Sequence, residues 1–354
     1  MSLDVLQPLR WDGEKLSVLD QTRLPNEVCV IDLPDLEAVC EAIGSLRVRG
    51  APCIGLCAAF GIVQEMRRRK FATLDEARTA FHAACTKLRR TRPTAVNLHY
   101  ALQRLEQRQS KVVHSLNEWI ETLEVEAQAM RHENDSACRA IAEYGLSLLK
   151  PGMSVVTYCN TGVLATASVG TALAPILRAH EAGMSVHVYI CETRPLLQGA
   201  RLTAWELYQA GVPHTLICDN AASFLMKKGY RANEKIGLVL VGADRIARNG
   251  DTANKIGTYA LALAARAHQI PFFVAAPWST FDMTVASGQE IPIEMRNPEE
   301  VRTMGGYPIS PQETAVWNPA FDVTPAELID GFITERGILR PPFPETPPHR
   351  SDHA

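Results

Sequence analysis

The stretch 154-SVVTYCNTGVLATASVGTAL-173 decides how this chain is built. Its first five residues are mostly β-branched or aromatic, the types that suit a buried strand. They run into Cys159, Asn160, Thr161 and Gly162, and the small and apolar residues beyond predict a helix over 162–182. A strand that turns directly into a helix is the first half of a crossover unit. A connection of that kind needs only the glycine. A thiol, an amide and a hydroxyl at the same corner call for a further reason.

Downstream of this corner the pattern repeats. Strands are predicted at 153–158, 185–190, 213–218, 237–242 and 271–276, with helices at 162–182, 199–211, 220–228 and 252–268. Such alternation specifies a parallel sheet with crossover helices, a doubly wound, Rossmann-like α/β domain. Upstream, a short strand-like start gives way to helical periodicity over 36–46, 53–66, 73–90, 95–109 and 116–149. The expected organisation is an N-terminal, mostly helical domain over 1–150 and a Rossmann-like catalytic domain over 151–340. The Pro-rich tail 341–354 is expected to be disordered. No internal repeat is visible.

Composition narrows the function. Net charge is −3, which does not steer the chain toward nucleic acid or an anionic membrane. No apolar run approaches the ~18 residues that a membrane span needs. Nine cysteines without CxxC spacing, behind an N-terminus without a signal pattern, predict a reducing, cytoplasmic setting with free thiols. Cys53 and Cys57, four residues apart in an apolar stretch, read as small core residues.

In open α/β sheets ligands sit beyond the carboxyl ends of the strands, so the residues there carry the chemistry. Cys159 would sit at the predicted helix N-terminus, where backbone N–H groups favour a thiolate. It reads equally as a small buried residue. Asn160, Thr161 and Gly162 read as helix caps or as ligand contacts. Asp244 ends the run LVLVGAD (238–244), where its apolar neighbours favour the protonated form and suit it to acid/base work. A capping or water-facing aspartate is the competing reading. Asn254 and Lys255 fall in the first turns of the predicted helix, where an anionic ligand would account for the lysine's charge. Arg49, with Gly50 and Ala51 in RVRGAPCIG (47–55), and Arg92, before Pro93, stand on turns suited to a small anion. Gln198 could hydrogen-bond a sugar hydroxyl, and Arg194 and Arg201 read as holding their loop.

The ordered segments RVRGAPCIG (47–55), RPTAVNL (92–98), TYCNTG (157–162), ETRPLLQGARLTAWEL (192–207), VGADRIARNGDTANKIGTYALA (241–262), IPFFVAAP (270–277) and NPAFDVTP (318–325) closely resemble the methylthioribose-1-phosphate isomerases. That family is itself similar to the regulatory subunits of translation initiation factor 2B and to ribose-1,5-bisphosphate isomerases. The resemblance runs from about Leu9 to Leu339. It implies a small helical domain on a Rossmann-like domain, usually a homodimer, and aldose–ketose isomerisation of 5-methylthioribose 1-phosphate in methionine salvage. It implies no metal and no nucleotide cofactor. Carried over by motif, Cys159 and Asp244 match the catalytic pair, and Arg49, Gly50, Ala51, Arg92, Gln198, Asn254 and Lys255 match substrate-binding positions. Two departures are visible. Cys191 stands where the family usually has Asp, and Trp278 where a smaller residue is common. The tryptophan could stack on the 5-substituent, which leaves room for a related sugar phosphate. A regulatory relative without activity is the reading from another class, and it has no need to keep Cys159 and Asp244 together.

Overall fold

The computed structural model describes residues 7–93, 95–110, 115–230 and 235–343. Beyond residue 343 the expected disordered tail lies outside the described residues. The chain forms two compact units. The first comprises Met1–Ala137 and Val163–Gly170, and the second Cys138–Gly162 and Thr171–Ala354. The first division falls between Ala137 and Cys138, inside a long helix and upstream of the boundary expected at 150/151.

The first unit has an antiparallel sheet of β1 (Leu9–Trp11), β2 (Leu16–Leu19) and β3 (Val30–Leu33). Its helices are α1 (Leu36–Gly44), α2 (Ala51–Arg68), α3 (Leu74–Thr91), α4 (Val96–Gln109), the first part of α5 (Leu116–Leu146) and the short α6 (Val163–Thr166). Residues Cys53 to Met66 of α2 are all buried, so this helix is the axis of the unit. It packs against α1, α3, α4 and α6. Phe60, Phe81 and Trp119 fill the core around it. An apolar face on every side is what a helix needs to be surrounded by others.

The second unit opens with β4 (Met153–Thr157), α7 (Ala174–Glu181) and β5 (Val186–Cys191). A π-helical turn at Gly199–Thr203 leads into α8 (Ala204–Ala210), β6 (His214–Ile217), α9 (Ala222–Lys228) and β7 (Ile236–Val241). Then follow β8 (Arg245–Ala247), β9 (Thr252–Lys255), α10 (Thr258–Ala267), β10 (Phe272–Ala275) and β11 (Phe281–Asp282). A hairpin of β12 (Thr303–Met304) and β13 (Tyr307–Pro308) precedes β14 (Phe321–Thr324), β15 (Gly331–Thr334) and β16 (Gly337–Leu339).

The main sheet has seven strands in the order β16-β15-β10-β7-β4-β5-β6. All neighbours are parallel except β15 and β16. Strands β10 and β15 are buried along their whole length, which explains the apolar run FFVA of β10 and the apolar GFI that leads to Thr334 in β15. Strand order grows outward from β4 in both directions: β5 and β6 lie on one side, and β7, β10 and β15 on the other. The reversal between β4 and β7 is the topological switch point, where such sheets open a ligand crevice.

Two predicted helices fold differently. The run 162–182 is broken into α6 and α7. Thr166 Oγ1 accepts from the amides of Ser168 (3.2 Å) and Gly170 (3.1 Å), and Ala167 and Gly170 take positive φ, which ends α6 after one turn. The Thr171 amide then donates to the Thr161 carbonyl at 2.7 Å, closing the excursion. The run 252–268 begins as strand β9, and the helix starts only at Thr258, after Gly257 at φ 105°. β9 is flanked by β8 and β14 in a second sheet of order β11-β8-β9-β14, and pairing on both edges overrides the local pattern.

Candidate active site

The corner after β4 is held by the loop after β5. Cys159 is buried and takes φ 64°, the left-handed region that costs an L-residue about 1–3 kcal/mol unless its surroundings impose it. Its amide donates to Thr193 Oγ1 at 2.9 Å, and its carbonyl accepts from Thr203 Oγ1 at 2.6 Å. Thr193 is pinned in turn. Its hydroxyl donates to the Cys191 carbonyl (3.1 Å), and its amide donates to Asp219 Oδ1 (2.7 Å). Asn160 Nδ2 donates to Glu206 Oε1 (2.7 Å) and to Thr203 Oγ1 (3.2 Å). Asn160 and Thr161 are thus not caps of a long helix. α6 has four residues, too few to build a macrodipole for the thiol. Hydrogen bonds to the cysteine's own backbone do the positioning.

Asp244 lies just past β7, on the other side of the switch point from the Cys159 corner. Its amide donates to the Ala253 carbonyl at 3.0 Å, which ties it to β9. Asn254 and Lys255 stand on β9 and not on a helix, opposite Asp322 and Phe321 of β14. The dipole argument for the lysine therefore falls away. Lys255 Nζ donates to the Ala320 carbonyl (2.9 Å) and lies 4.3 Å from the centroid of the Phe321 ring. Asn254 Nδ2 donates to Thr258 Oγ1 at 3.1 Å. Between them, Asp322 caps α10. Its carboxylate accepts from the amides of Gly257 (2.7 Å) and Tyr259 (3.1 Å). Burial pushes its pKa up to about 6, against the pull of those two amides and of Lys255.

Gln198 precedes the π-helical turn and is buried, and its Oε1 has no partner among the described residues. A buried carbonyl left without a donor is costly and marks a place for one. Thr161 Oγ1 is in the same condition, while its methyl group sits 2.6 Å from where a Cβ on Gly242 would be. Gly242 must therefore be glycine for the two strand ends to meet. Arg194 donates to the carbonyls of Pro195 and Val301, both at 3.0 Å, and Arg201 to that of Leu196 at 3.4 Å. Both hold the loop as expected.

In the first unit, Arg49 and Arg92 are half-buried at helix boundaries. Gly50 is the N-cap of α2 at φ 88°, with Ala51 the first helical residue, and Arg92 is the C-cap of α3. A side chain at position 50 would meet the Ala165 carbonyl oxygen at 2.3 Å, so both φ and space demand glycine there.

The departures have structural settings. Cys191 is fully buried, and burial pushes its thiol well up, so it stays neutral where an aspartate would carry charge. Trp278 stacks on Phe281, with centroids 4.3 Å apart, and Arg336 lies 4.7 Å from its centroid. Its ring is engaged by these two residues. Tyr158 is buried, and burial together with the nearby Asp219 carboxylate pushes its phenol up. Among the described residues, no group of three His, Cys, Asp or Glu side chains could hold a metal ion, and no helix is long and apolar enough to cross a membrane.

Thr193, Thr203, Glu206 and Asp322 escaped the sequence reading. The first three stand in ETRPLLQGARLTAWEL, where polar residues at a strand end were the only signal. Nothing local in NPAFDVTP announces that Asp322 caps a helix 65 residues upstream.

The Initiation factor 2 subunit family matches residues 47–341. A methylthioribose-1-phosphate isomerase of Pelotomaculum thermopropionicum is 52% identical over 96% of this chain and 93% of its own length. Another, of Chloroflexus aurantiacus, is 50% identical over 96% of each chain. Among solved structures, 5-methylthioribose 1-phosphate isomerase of Pyrococcus horikoshii superimposes with a TM-score of 0.87 at 42% identity, covering 95% of this chain and 93% of that one. A structure described as translation initiation factor eIF-2B subunit delta of A. fulgidus gives 0.84, also at 42% identity, over 95% and 96%. This chain belongs to the Initiation factor 2 subunit family and, within it, groups with the methylthioribose-1-phosphate isomerases.

Proposed function

We propose that this protein is an aldose–ketose isomerase that converts 5-methylthioribose 1-phosphate to 5-methylthioribulose 1-phosphate. The observation that carries the reading is the placement of Cys159 and Asp244 directly after β4 and β7, the two strands at the switch point. The names of the relatives supply the substrate.

The substrate is a glycosyl phosphate, so no free aldehyde exists until the ring opens. Asp244 is assigned to deliver a proton to the ring oxygen as the C1–O bond breaks. The C2 hydrogen must then reach C1 while the C2 hydroxyl loses its proton to give the ketone. In a proton-transfer route Cys159 takes the C2 proton and returns it to C1 of an enediol-like species. In a hydride route it stabilises the shift. Gln198, with its unpartnered carbonyl, is assigned to a sugar hydroxyl. Asn254 and Lys255, and Arg49, Gly50, Ala51 and Arg92 of the first unit, are assigned to substrate binding by their motifs. A homodimer in the cytoplasm belongs to the same proposal.

The test is NMR detection of ketose from the purified aldose phosphate, with ribose 1,5-bisphosphate assayed beside it. Turnover of the methylthio sugar alone supports the reading. Turnover of the bisphosphate alone replaces the substrate, and turnover of neither favours a regulatory protein like the initiation-factor relatives. Deuterium at C2 separates the routes, because its loss to solvent requires proton transfer.

A further inference from the structure

Glu206 is fully buried and stands in the segment ETRPLLQGARLTAWEL, yet no role was carried over to it and the mechanism above does not use it. A fold that needed only volume here would hold a leucine, because burying a carboxylate costs several kcal/mol unless it is well partnered. The partners are specific. Oε1 accepts from Asn160 Nδ2 at 2.7 Å, and the carboxylate lies flat against Gly162, so close that an added Cβ there would fall 2.0 Å from Oε2. The glycine of the corner is thus the complement of this acid.

The polarity of the bonds matters as much as their number. A carboxylate only accepts, so it fixes the Asn160 amide with its NH2 inward. That NH2 also donates to Thr203 Oγ1 at 3.2 Å, and the threonine hydroxyl is left to donate its own hydrogen to the Cys159 carbonyl at 2.6 Å. The Asn160 NH2 thus donates to Glu206 on one side and to Thr203 on the other, and the threonine hydroxyl donates onward to the backbone of Cys159, whose φ of 64° needs such enforcement.

We propose that Glu206 is the positioning residue of this site: through Asn160 and Thr203 it sets the backbone rotation of Cys159 and so the direction of its thiol. The kinetic consequence rests on the isomerase reading, whereas the effect on the thiol does not.

The test uses Glu206→Gln, Thr203→Val and Thr203→Ser in the full chain. Gln has the size of Glu but also donates, which frees the Asn160 amide to turn over. Val keeps the shape of Thr and loses the hydroxyl, and Ser restores the hydroxyl. We expect E206Q and T203V to lower kcat by ~10²-fold with KM unchanged, and T203S to recover most of it. Without substrate, alkylation of Cys159 by iodoacetamide, followed peptide by peptide in the mass spectrometer, should rise about tenfold in E206Q and T203V as the corner is released. Cys53 and Cys57, buried in the first unit, should stay unreactive and report that the fold is intact. An unchanged or lowered rate at Cys159 overturns the proposal, as does a rise shared by Cys53 and Cys57, which is general unfolding. If the wild type isomerises nothing while Cys159 still responds, the isomerase reading fails and the positioning role stands.

Discussion

Cys159 and Asp244 differ from the residues around them in being exposed to two demands at once, one from the fold and one from the chemistry. Cys159→Ser keeps the left-handed backbone and its two hydrogen bonds but removes the thiol. Asp244→Asn keeps the shape and removes the proton that the acid gives. Each is expected to lower kcat by about 10²–10⁴-fold, with circular dichroism and thermal midpoint unchanged. Near-normal turnover in either variant would remove that residue from its assigned role. Gly162→Ala makes the opposite separation. Its methyl group would collide with the Glu206 carboxylate, and we expect a loss of roughly 1–3 kcal/mol in urea unfolding. The thiol was legible in the sequence because it stands at a strand end. Its supports were not, since Thr193 and Thr203 act on it from 34 and 44 residues away.

The central parallel strands β7 and β10 were legible because they are buried and read as continuous apolar runs. The small sheet of β8, β9, β11 and β14 was not. TANK (252–255) has no strand periodicity of its own, and pairing with β8 and β14 makes it one. The pairing with β14 also brings Asp322 to the start of α10, with a consequence for pH. Its pKa is raised from 3.8 to about 6, so the folded protein holds this proton where the unfolded chain has lost it. The associated stability is complete below the unfolded value and is lost as pH rises from about 4 to about 6. In Asp322→Asn that decline should vanish from the pH dependence of the thermal midpoint, other carboxylates contributing equally to both proteins. An identical slope in the two would show that Asp322 does not titrate in that window.

For the molecule as a whole, the proposed homodimer sets an expectation of mass. Sedimentation equilibrium should give twice the 38.9 kDa of one chain, and a value of one chain removes the homodimer from the proposal. The excursion 163–170 sets a second expectation. Val163, Leu164 and Ala165 are buried, and in the first unit Ser168 Oγ donates to Asp135 Oδ1 (2.7 Å) and Asn134 Nδ2 to the Thr166 carbonyl (2.8 Å). A fragment beginning at residue 151 carries that segment without those partners, and we expect it to aggregate where the full chain stays dispersed under light scattering. A fragment that remained dispersed would show that the segment can do without them. Because the second unit lends eight residues of its length to the first and takes the chain back at Thr171, no single cut leaves either whole. Recombination at a single breakpoint, the event that moves a terminal domain from one gene to another, would therefore pass on neither unit of this protein intact.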